Sequence, residues 1–182
     1  MSAYSEMAFN YMEACAMTIT PYMGIDVLKP LTKWMEKAKG IYCVFYSSNP
    51  CAYKIQRTTM AEQTIAEHFL YDFHSYLKET KTQDSFGLVV ANHHNPTPDA
   101  KPCKILSSYP QLIPGIGSQG GIIDKQIKKR IHPGNLNLLA ISRSLAGFGD
   151  EAYAKRLQKI KNLAEYQNFV YERIKFFKEH LK

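Results

Sequence analysis

The sequence predicts an α+β fold in which helices flank a small, mainly antiparallel sheet. Residues 41–46 (IYCVFY) and 52–57 (AYKIQR) are β-rich runs separated by turn residues, which indicates a hairpin. Residues 60–79 carry large apolar side chains at helical spacing, and residues 150–181 carry an apolar stripe typical of amphipathic helices. A chain of 182 residues is long enough to bury a core in one domain.

Two helices are predicted before the hairpin. Residues 5–17 (SEMAFNYMEACAM) predict the first helix, which the dipeptide Thr20-Pro21 ends. Residues 25–38 predict the second helix, which Pro30 interrupts. The hairpin then occupies 41–57, with its turn at residues 47–51.

The middle of the chain predicts further strands and loops. Residues 86–91 (FGLVVA) are a short apolar run and predict an interior strand. A polar loop with three prolines follows at 92–102, and residues 103–108 (CKILSS) predict another strand. Residues 110–121 predict a loop, because they contain four glycines and two prolines.

The last third of the chain is mainly helical by pattern. Residues 122–131 predict a short basic helix, whereas residues 135–142 (NLNLLAIS) fit a strand or a helix equally well. Residues 150–181 predict one or two amphipathic helices. Their stripe is short and Gln167 interrupts it, so we expect it to pack against a core rather than form a coiled coil.

Charge and cysteine content restrict the function classes. The chain has 23 basic and 16 acidic side chains, a net charge of +7 and a pI near 9.1, which favours an anionic partner. The four cysteines show neither a C-x-x-C pair nor zinc-type spacing, so we expect reduced thiols and a cytoplasmic location. No apolar run approaches the roughly 18 residues of a membrane span, and no cleavable secretion signal is evident.

The pair His93-His94 is the first candidate for catalysis. It follows the predicted interior strand, where a rigid element can present a side chain to a cleft. A neutral imidazole is a suitable general base at neutral pH, although a solvated loop pair is the simpler interpretation. His68 and His74 lie six residues apart on a predicted helix and face different sides, so we predict no shared metal.

The glycine-rich segment before the basic helix is a candidate phosphate cradle. Backbone amides at a helix N-terminus attract anions, and the predicted cofactor-binding residues are Gly115, Gly117, Ser118, Gly120 and Gly121. The segment lacks the lysine of a P-loop, so a flexible loop is the alternative. The basic helix adds a candidate partner-binding cluster, Lys125, Lys128, Lys129 and Arg130, for which a solvated face is the alternative.

Three stretches occur in a characteristic order: 49–53 (NPCAY), 90–96 (VANHHNP) and 120–126 (GGIIDKQ). Together they resemble the RTX toxin-activating lysine acyltransferases, the haemolysin-activating family with an acetyltransferase-like fold. The resemblance covers about residues 18–131 of a single domain spanning 1–182. A helical C-terminal extension at about 132–182 has no counterpart in that family.

The resemblance places Met23 where the family has its catalytic histidine, and Asn92 where it has an aspartate. Methionine cannot move a proton, and a neutral amide cannot orient an imidazolium as a carboxylate does. Two alternatives follow. The base has moved to His93 or His94, beside Asn92, or the site is lost.

The resemblance implies transfer of a fatty acyl group from acyl carrier protein to a lysine of a toxin-like protein acceptor. It implies no bound cofactor, and acyl-coenzyme A is the less favoured donor. The charge of +7 agrees, because carrier proteins are strongly acidic. The alternative is an inactive relative, or a basic binding protein that contacts a host protein or, less favoured, nucleic acid. A homodimer remains open.

Overall fold

The computed structural model describes residues 1–92, 101–117, 120–123, 127, 134, 136–148 and 151–181. The strands, in chain order, are β1 (Ala16–Ile19), β2 (Gly40–Tyr46), β3 (Thr59–Met60), β4 (Gln63–Thr64), β5 (Phe86–Val90), β6 (Gln111–Ile113) and β7 (Asn137–Leu139). The described α-helices are α1 (Ser2–Glu6), α2 (Tyr53–Gln56), α3 (Ile65–Thr80), α4 (Lys101–Ser107), α5 (Glu151–Leu157) and α6 (Leu163–Leu181). A π-helix covers Met7–Tyr11, and 3-10 helices cover Ile25–Lys37 and Gln83–Ser85.

Five strands form one sheet in the order β1-β2-β5-β6-β7, and each neighbouring pair is parallel. β3 and β4 form a separate, two-residue antiparallel ribbon. The prediction of a mainly antiparallel, acetyltransferase-like sheet is therefore wrong. Helical segments lie between β1 and β2, between β2 and β5, and between β5 and β6, as parallel pairing requires, since the chain must return to the same end of the sheet before each new strand.

The predicted hairpin at 41–57 is also wrong. β2 pairs with β1 on one side and with β5 on the other, whereas the second predicted strand is the short helix α2. The segment after β2 folds back locally, because the backbone N–H of Ser47 donates to the buried side chain of Gln56 at 3.1 Å. Tyr46, at the end of β2, therefore leads into a loop rather than a turn between strands.

Several other predictions change in detail. Residues 103–108 lie mostly in α4 rather than in a strand, and β6 lies inside the predicted loop 110–121. The undecided segment 135–142 contains β7. The first helix ends before Met12, and part of its predicted range is β1.

The long central helix is confirmed as α3, and its sequence explains its bounds. Thr64 and Glu67 form a capping box at its start, which satisfies backbone donors that the first turn leaves free. Phe69, Phe73 and Leu77 are buried on one face. The helix therefore covers the sheet with the apolar stripe that the sequence predicts.

The predicted interior strand is confirmed as β5, in which all five residues are buried. Burial on both faces is typical of a parallel sheet with helices packed on it. The main core joins β1, β2 and β5 to α3 and to the 3-10 helix that carries Leu28, Leu31 and Trp34. A smaller cluster of Ile113, Ile116 and Ile127 lies beside β6. Among the described helices, none has the length and hydropathy to cross a membrane.

Candidate functional site

The carboxyl ends of the parallel strands meet at one edge of the sheet. Backbone hydrogen bonds continue past the strands and join Ala91 to Tyr46, Asn92 to Pro114, and Ala140 to Ile113, at 2.9, 2.9 and 3.0 Å. The loops after β2, β5, β6 and β7 are therefore neighbours. In open and closed parallel α/β sheets, this edge is where ligands bind.

A cavity of about 150 Å³ lies at this edge. Residues from three loops line it: Ser48 after β2, Pro114, Gly115 and Ile116 after β6, and Ala140, Ser142 and Arg143 after β7. Ligand pockets for whole small molecules usually measure roughly 300–1,000 Å³. This cavity therefore has room for one group of a ligand rather than for a complete nucleotide.

Arg143 supplies the charge at this cavity. It is exposed, and within the described ranges its guanidinium makes neither a hydrogen bond nor an ion pair. A guanidinium presents several N–H donors in a planar fork that matches a phosphate or carboxylate. The hydroxyls of Ser48 and Ser142 add neutral donors, so the cavity is suited to an oxyanion.

The glycine loop, residues 114–121, forms one wall of the cavity. The amides of Gly117, Gly120 and Gly121 donate to carbonyls within the loop at 2.7 to 3.0 Å. These three amides therefore hold the shape of the loop. A direct contact between the loop and a phosphate stays a prediction, and Ser118 lies outside the described residues.

Asn92 fixes the glycine loop to the end of β5. It is only 4% exposed, and its Nδ2 donates to the carbonyl of Ile122 at 3.0 Å. A Cβ on Gly121 would lie 2.2 Å from that Nδ2 and 2.3 Å from the carbonyl oxygen of Gly115, so only glycine fits there. Asn92 is thus a positioning residue at the sheet edge. His93 and His94 lie outside the described residues, and their catalytic role stays a prediction.

The turn after β1 contains Met23, which the resemblance placed at the position of the family's catalytic histidine, and its neighbour Tyr22. The Tyr22 hydroxyl donates to the carbonyl of Phe45, its ring packs on Phe69 at 5.6 Å, and burial raises the pKa of its hydroxyl. Met23 is 78% exposed. This turn borders a separate cavity of about 160 Å³ with Ile65 and Phe69, rather than the strand-end cavity.

The two histidines of α3, for which no shared metal was predicted, make separate contacts. His68 contacts the carbonyl of Met60 at 2.9 Å, and His74 contacts the Tyr109 hydroxyl at 2.8 Å. The described part of the chain contains no group of three or more side chains that could hold a metal. The basic cluster Lys125, Lys128, Lys129 and Arg130 lies outside the described residues.

Comparison with known proteins points to one enzyme family. The chain is 30% identical over 162 residues to the orotidine 5'-phosphate decarboxylase of Herpetosiphon aurantiacus, covering 87% of this chain and 57% of the relative. It is 33% identical over 129 residues to that of Cupriavidus metallidurans, covering 69% of this chain and 44% of the relative. The chain thus spans about half the length of these relatives. No protein-family model matches it.

Solved structures agree on the fold. The Leishmania donovani OMP decarboxylase superposes with a TM-score of 0.60 at 24% identity, covering 93% of this chain and 62% of the neighbour. The Plasmodium berghei enzyme gives a TM-score of 0.64 at 18% identity, covering all of this chain and 54% of the neighbour. The chain has the parallel α/β, TIM-barrel type of fold.

These comparisons overturn the acyltransferase interpretation. The similarity to RTX toxin-activating proteins is not supported, because the relatives are decarboxylases of a small nucleotide. Lysine acylation, acyl carrier protein as donor and a protein acceptor are therefore wrong as predictions, and the inactive or basic binding protein offered as the alternative is not supported either. The three short stretches matched that family by chance, since none of them is specific alone.

Arg143 is the candidate site residue that the sequence interpretation missed. The sequence contains a weak indication of this residue, because the apolar run LLAI is followed by the polar pair Ser142-Arg143, as at the end of a buried strand. Because segment 135–142 fitted a strand or a helix equally, the position of Arg143 at the carboxyl end of a strand could not be predicted.

Proposed function

We propose that this chain forms the phosphate-binding part of an orotidine 5'-phosphate decarboxylase type of site. The observation that carries the proposal is the guanidinium of Arg143, which has no partner among the described residues and lies beside the glycine loop, at the carboxyl ends of β6 and β7. TIM barrels often bind phosphate with the loops that follow two consecutive strands late in the chain. The similarity to decarboxylases whose substrate is a 5'-phosphate supports the same assignment.

The charge of the chain supports a small anionic ligand as well. The net charge of +7 raises the local concentration of anions. The 5'-phosphate would lie against Arg143, with Ser142 and Ser48 as neutral donors. A cavity of about 150 Å³ holds that group and leaves the nucleoside to extend along the sheet edge. A cytoplasmic location belongs to this proposal.

The decarboxylation step needs more than phosphate binding. When the carboxylate leaves as CO₂, the electron pair of the broken C–C bond stays on the ring carbon, which then takes a proton. A lysine or another acid near that carbon would stabilise the charge and deliver the proton. In the four residues after each sheet strand, the sequence has Arg143 and the two histidines His93 and His94, but no lysine, aspartate or glutamate.

We therefore assign turnover to a complete barrel rather than to these five strands alone. A TIM barrel has eight parallel strands, and its catalytic residues come from the ends of several of them. The described strands supply the phosphate end of the site. In this proposal, the group that handles the carboxylate belongs to strands beyond the five described here.

Titration calorimetry tests the phosphate assignment with uridine 5'-monophosphate, the decarboxylated nucleotide, and with uridine, which lacks the phosphate. We expect Arg143→Gln to weaken nucleotide binding about 10-fold to 100-fold, the usual effect of losing a charge-assisted hydrogen bond. Arg156→Gln is the matched control, because Arg156 is exposed and pairs with Glu172. Equal binding of nucleotide and nucleoside, or no effect of Arg143→Gln, would contradict the proposal.

A further inference from the structure

A second and larger cavity lies away from the strand-end site. It measures about 510 Å³ and lies between α6 and the glycine loop. The described residues that line it do not overlap with those of the strand-end cavity. The proposed phosphate site therefore leaves this cavity without an assigned ligand.

Arg173, on α6, is the charged group in this cavity. It is only 6% exposed, and its Nε donates to the carbonyl of Ser144 at 3.2 Å. Its guanidinium carbon lies 3.7 Å from the ring centroid of Tyr153, and 5.1 and 5.2 Å from those of Phe176 and Phe177. Across the described ranges, no carboxylate forms an ion pair with it. Within the described ranges its Nη atoms make no hydrogen bond, and Arg173 is among the residues that line the cavity.

A buried guanidinium without a counterion is unfavourable, because the desolvation of a charge costs several kcal/mol. The aromatic rings offset part of this through cation–π contacts. They also fix the plane of the guanidinium, so that its Nη edge is preorganised to donate to both oxygens of a carboxylate or phosphate. The position thus favours an anion that brings its own negative charge into the cavity.

Ser144 provides a neutral donor beside Arg173. A Cβ at Gly117 would lie 2.1 Å from the Ser144 Oγ, so the hydroxyl is positioned directly over the glycine loop. No hydrogen bond of this hydroxyl is found among the described residues. Phe176, Phe177 and Ile122 give the remaining walls a mainly apolar surface, and the imidazole of His180 is a further polar group there. A ligand that fits both the polar groups and the apolar walls of the cavity has an oxyanion at one end and a flat apolar body at the other.

We propose that this cavity binds a small aromatic anion, with its carboxylate or phosphate on the Nη edge of Arg173 and its ring against Phe176 and Phe177. The volume accommodates a ring with one charged substituent. The site is independent of the strand-end cavity, so neither proposal rests on the other.

Titration calorimetry with benzoate, phenyl phosphate and inorganic phosphate tests this site. We expect benzoate or phenyl phosphate to bind to the wild-type chain, and the stronger of the two identifies the anionic group. Arg173→Lys keeps the charge but loses the planar fork, so it should weaken binding about 10-fold. Arg156→Gln is the matched control and should leave binding of the aromatic probes unchanged, because Arg156 is exposed, pairs with Glu172 and lines neither cavity.

Phe176→Ala is the second variant, because Phe176 is 42% exposed and its truncation leaves the main core intact. It should weaken binding of the aromatic probes, and thermal unfolding confirms that both variants are folded. If neither aromatic probe binds to the wild-type chain, or if binding survives both Arg173→Lys and Phe176→Ala, the site is overturned. Arg173 would then have only a structural role, in its hydrogen bond to Ser144 and its contacts with the aromatic rings.

Discussion

The side-chain amide of Asn92 donates to the main-chain carbonyl of Ile122, with Nδ2 and O 3.0 Å apart. This hydrogen bond joins the end of β5 to Ile122, the residue that follows the glycine loop, and residues of this loop line both the strand-end cavity and the larger cavity beside α6. A single buried amide therefore positions a segment that two candidate sites share.

Replacing Asn92 tests this link. Asn92→Ala removes the hydrogen bond and leaves the Ile122 carbonyl without its side-chain donor, so we expect the free energy of unfolding to fall by about 1–3 kcal/mol. Urea unfolding measures the change. Asn10→Ala is the control, because Asn10 is exposed and bonds only to Glu6 among the described residues, and it should change stability by less than about 0.5 kcal/mol. If Asn92→Ala and Asn10→Ala lose the same free energy of unfolding, the hydrogen bond between Asn92 and Ile122 does not stabilise the fold.

The close approach of Gly121 to Asn92 predicts energetic coupling between the two positions. In Gly121→Ala the new methyl group meets Nδ2 of Asn92, so the double variant with Asn92→Ala should be more stable than the sum of the single changes predicts. A coupling of about 0.5–3 kcal/mol is typical of residues in contact. Gly120→Ala is the control, because its added Cβ meets nothing within 4 Å, and its strain should add independently. If the changes in the free energy of unfolding are strictly additive when Asn92→Ala is combined with Gly121→Ala as well as with Gly120→Ala, the contact is contradicted.

His74 should make stability depend on pH. Desolvation, followed by the nearby charges of Lys78 and Lys101, lowers the pKa of His74 below its ordinary value of 6.5. The unfolded chain therefore binds more protons than the folded chain as the pH falls below about 6.5, and stability decreases toward acid. We expect His74→Gln to flatten the change in unfolding midpoint between about pH 7.5 and 5. An unchanged slope in His74→Gln would assign the effect to other groups.

The four cysteines should fall into two reactivity classes. Cys15 and Cys51 are exposed, whereas Cys43 and Cys103 are buried, and burial raises the pKa of the Cys43 thiol. Because the thiolate is the reactive form, a thiol reagent should modify two cysteines rapidly in the native state and the other two only in denaturant. Mass spectrometry of the labelled peptides identifies each class. Rapid labelling of Cys43 in the native state would contradict its place in the sheet.

The sequence alone determined the elements whose stability is local. The spacing of Phe69, Phe73 and Leu77 predicts α3, since an apolar stripe with a helical period can be buried only as a helix. The continuous apolar run of β5 predicts an interior strand for a similar reason. In both cases, the pattern of apolar residues within one segment is enough to predict its secondary structure and its burial.

Only the tertiary structure decided how the strands pair. The β-rich run 41–46 fits an antiparallel hairpin and a parallel crossover equally well, because alternation within a strand does not specify its neighbour. The two partners of β2 are β1, which precedes it in the chain, and β5, which follows it, and helical segments lie between these strands. Whether β2 pairs in parallel therefore depends on how those helices pack on the sheet. The same long-range packing brings Ser48, Gly115 and Arg143 to one cavity, and it buries Arg173 among aromatic rings. Such sites cannot be read from the sequence, because their residues are far apart in the chain. They become neighbours only when the sheet has formed and the carboxyl ends of its parallel strands lie at one edge.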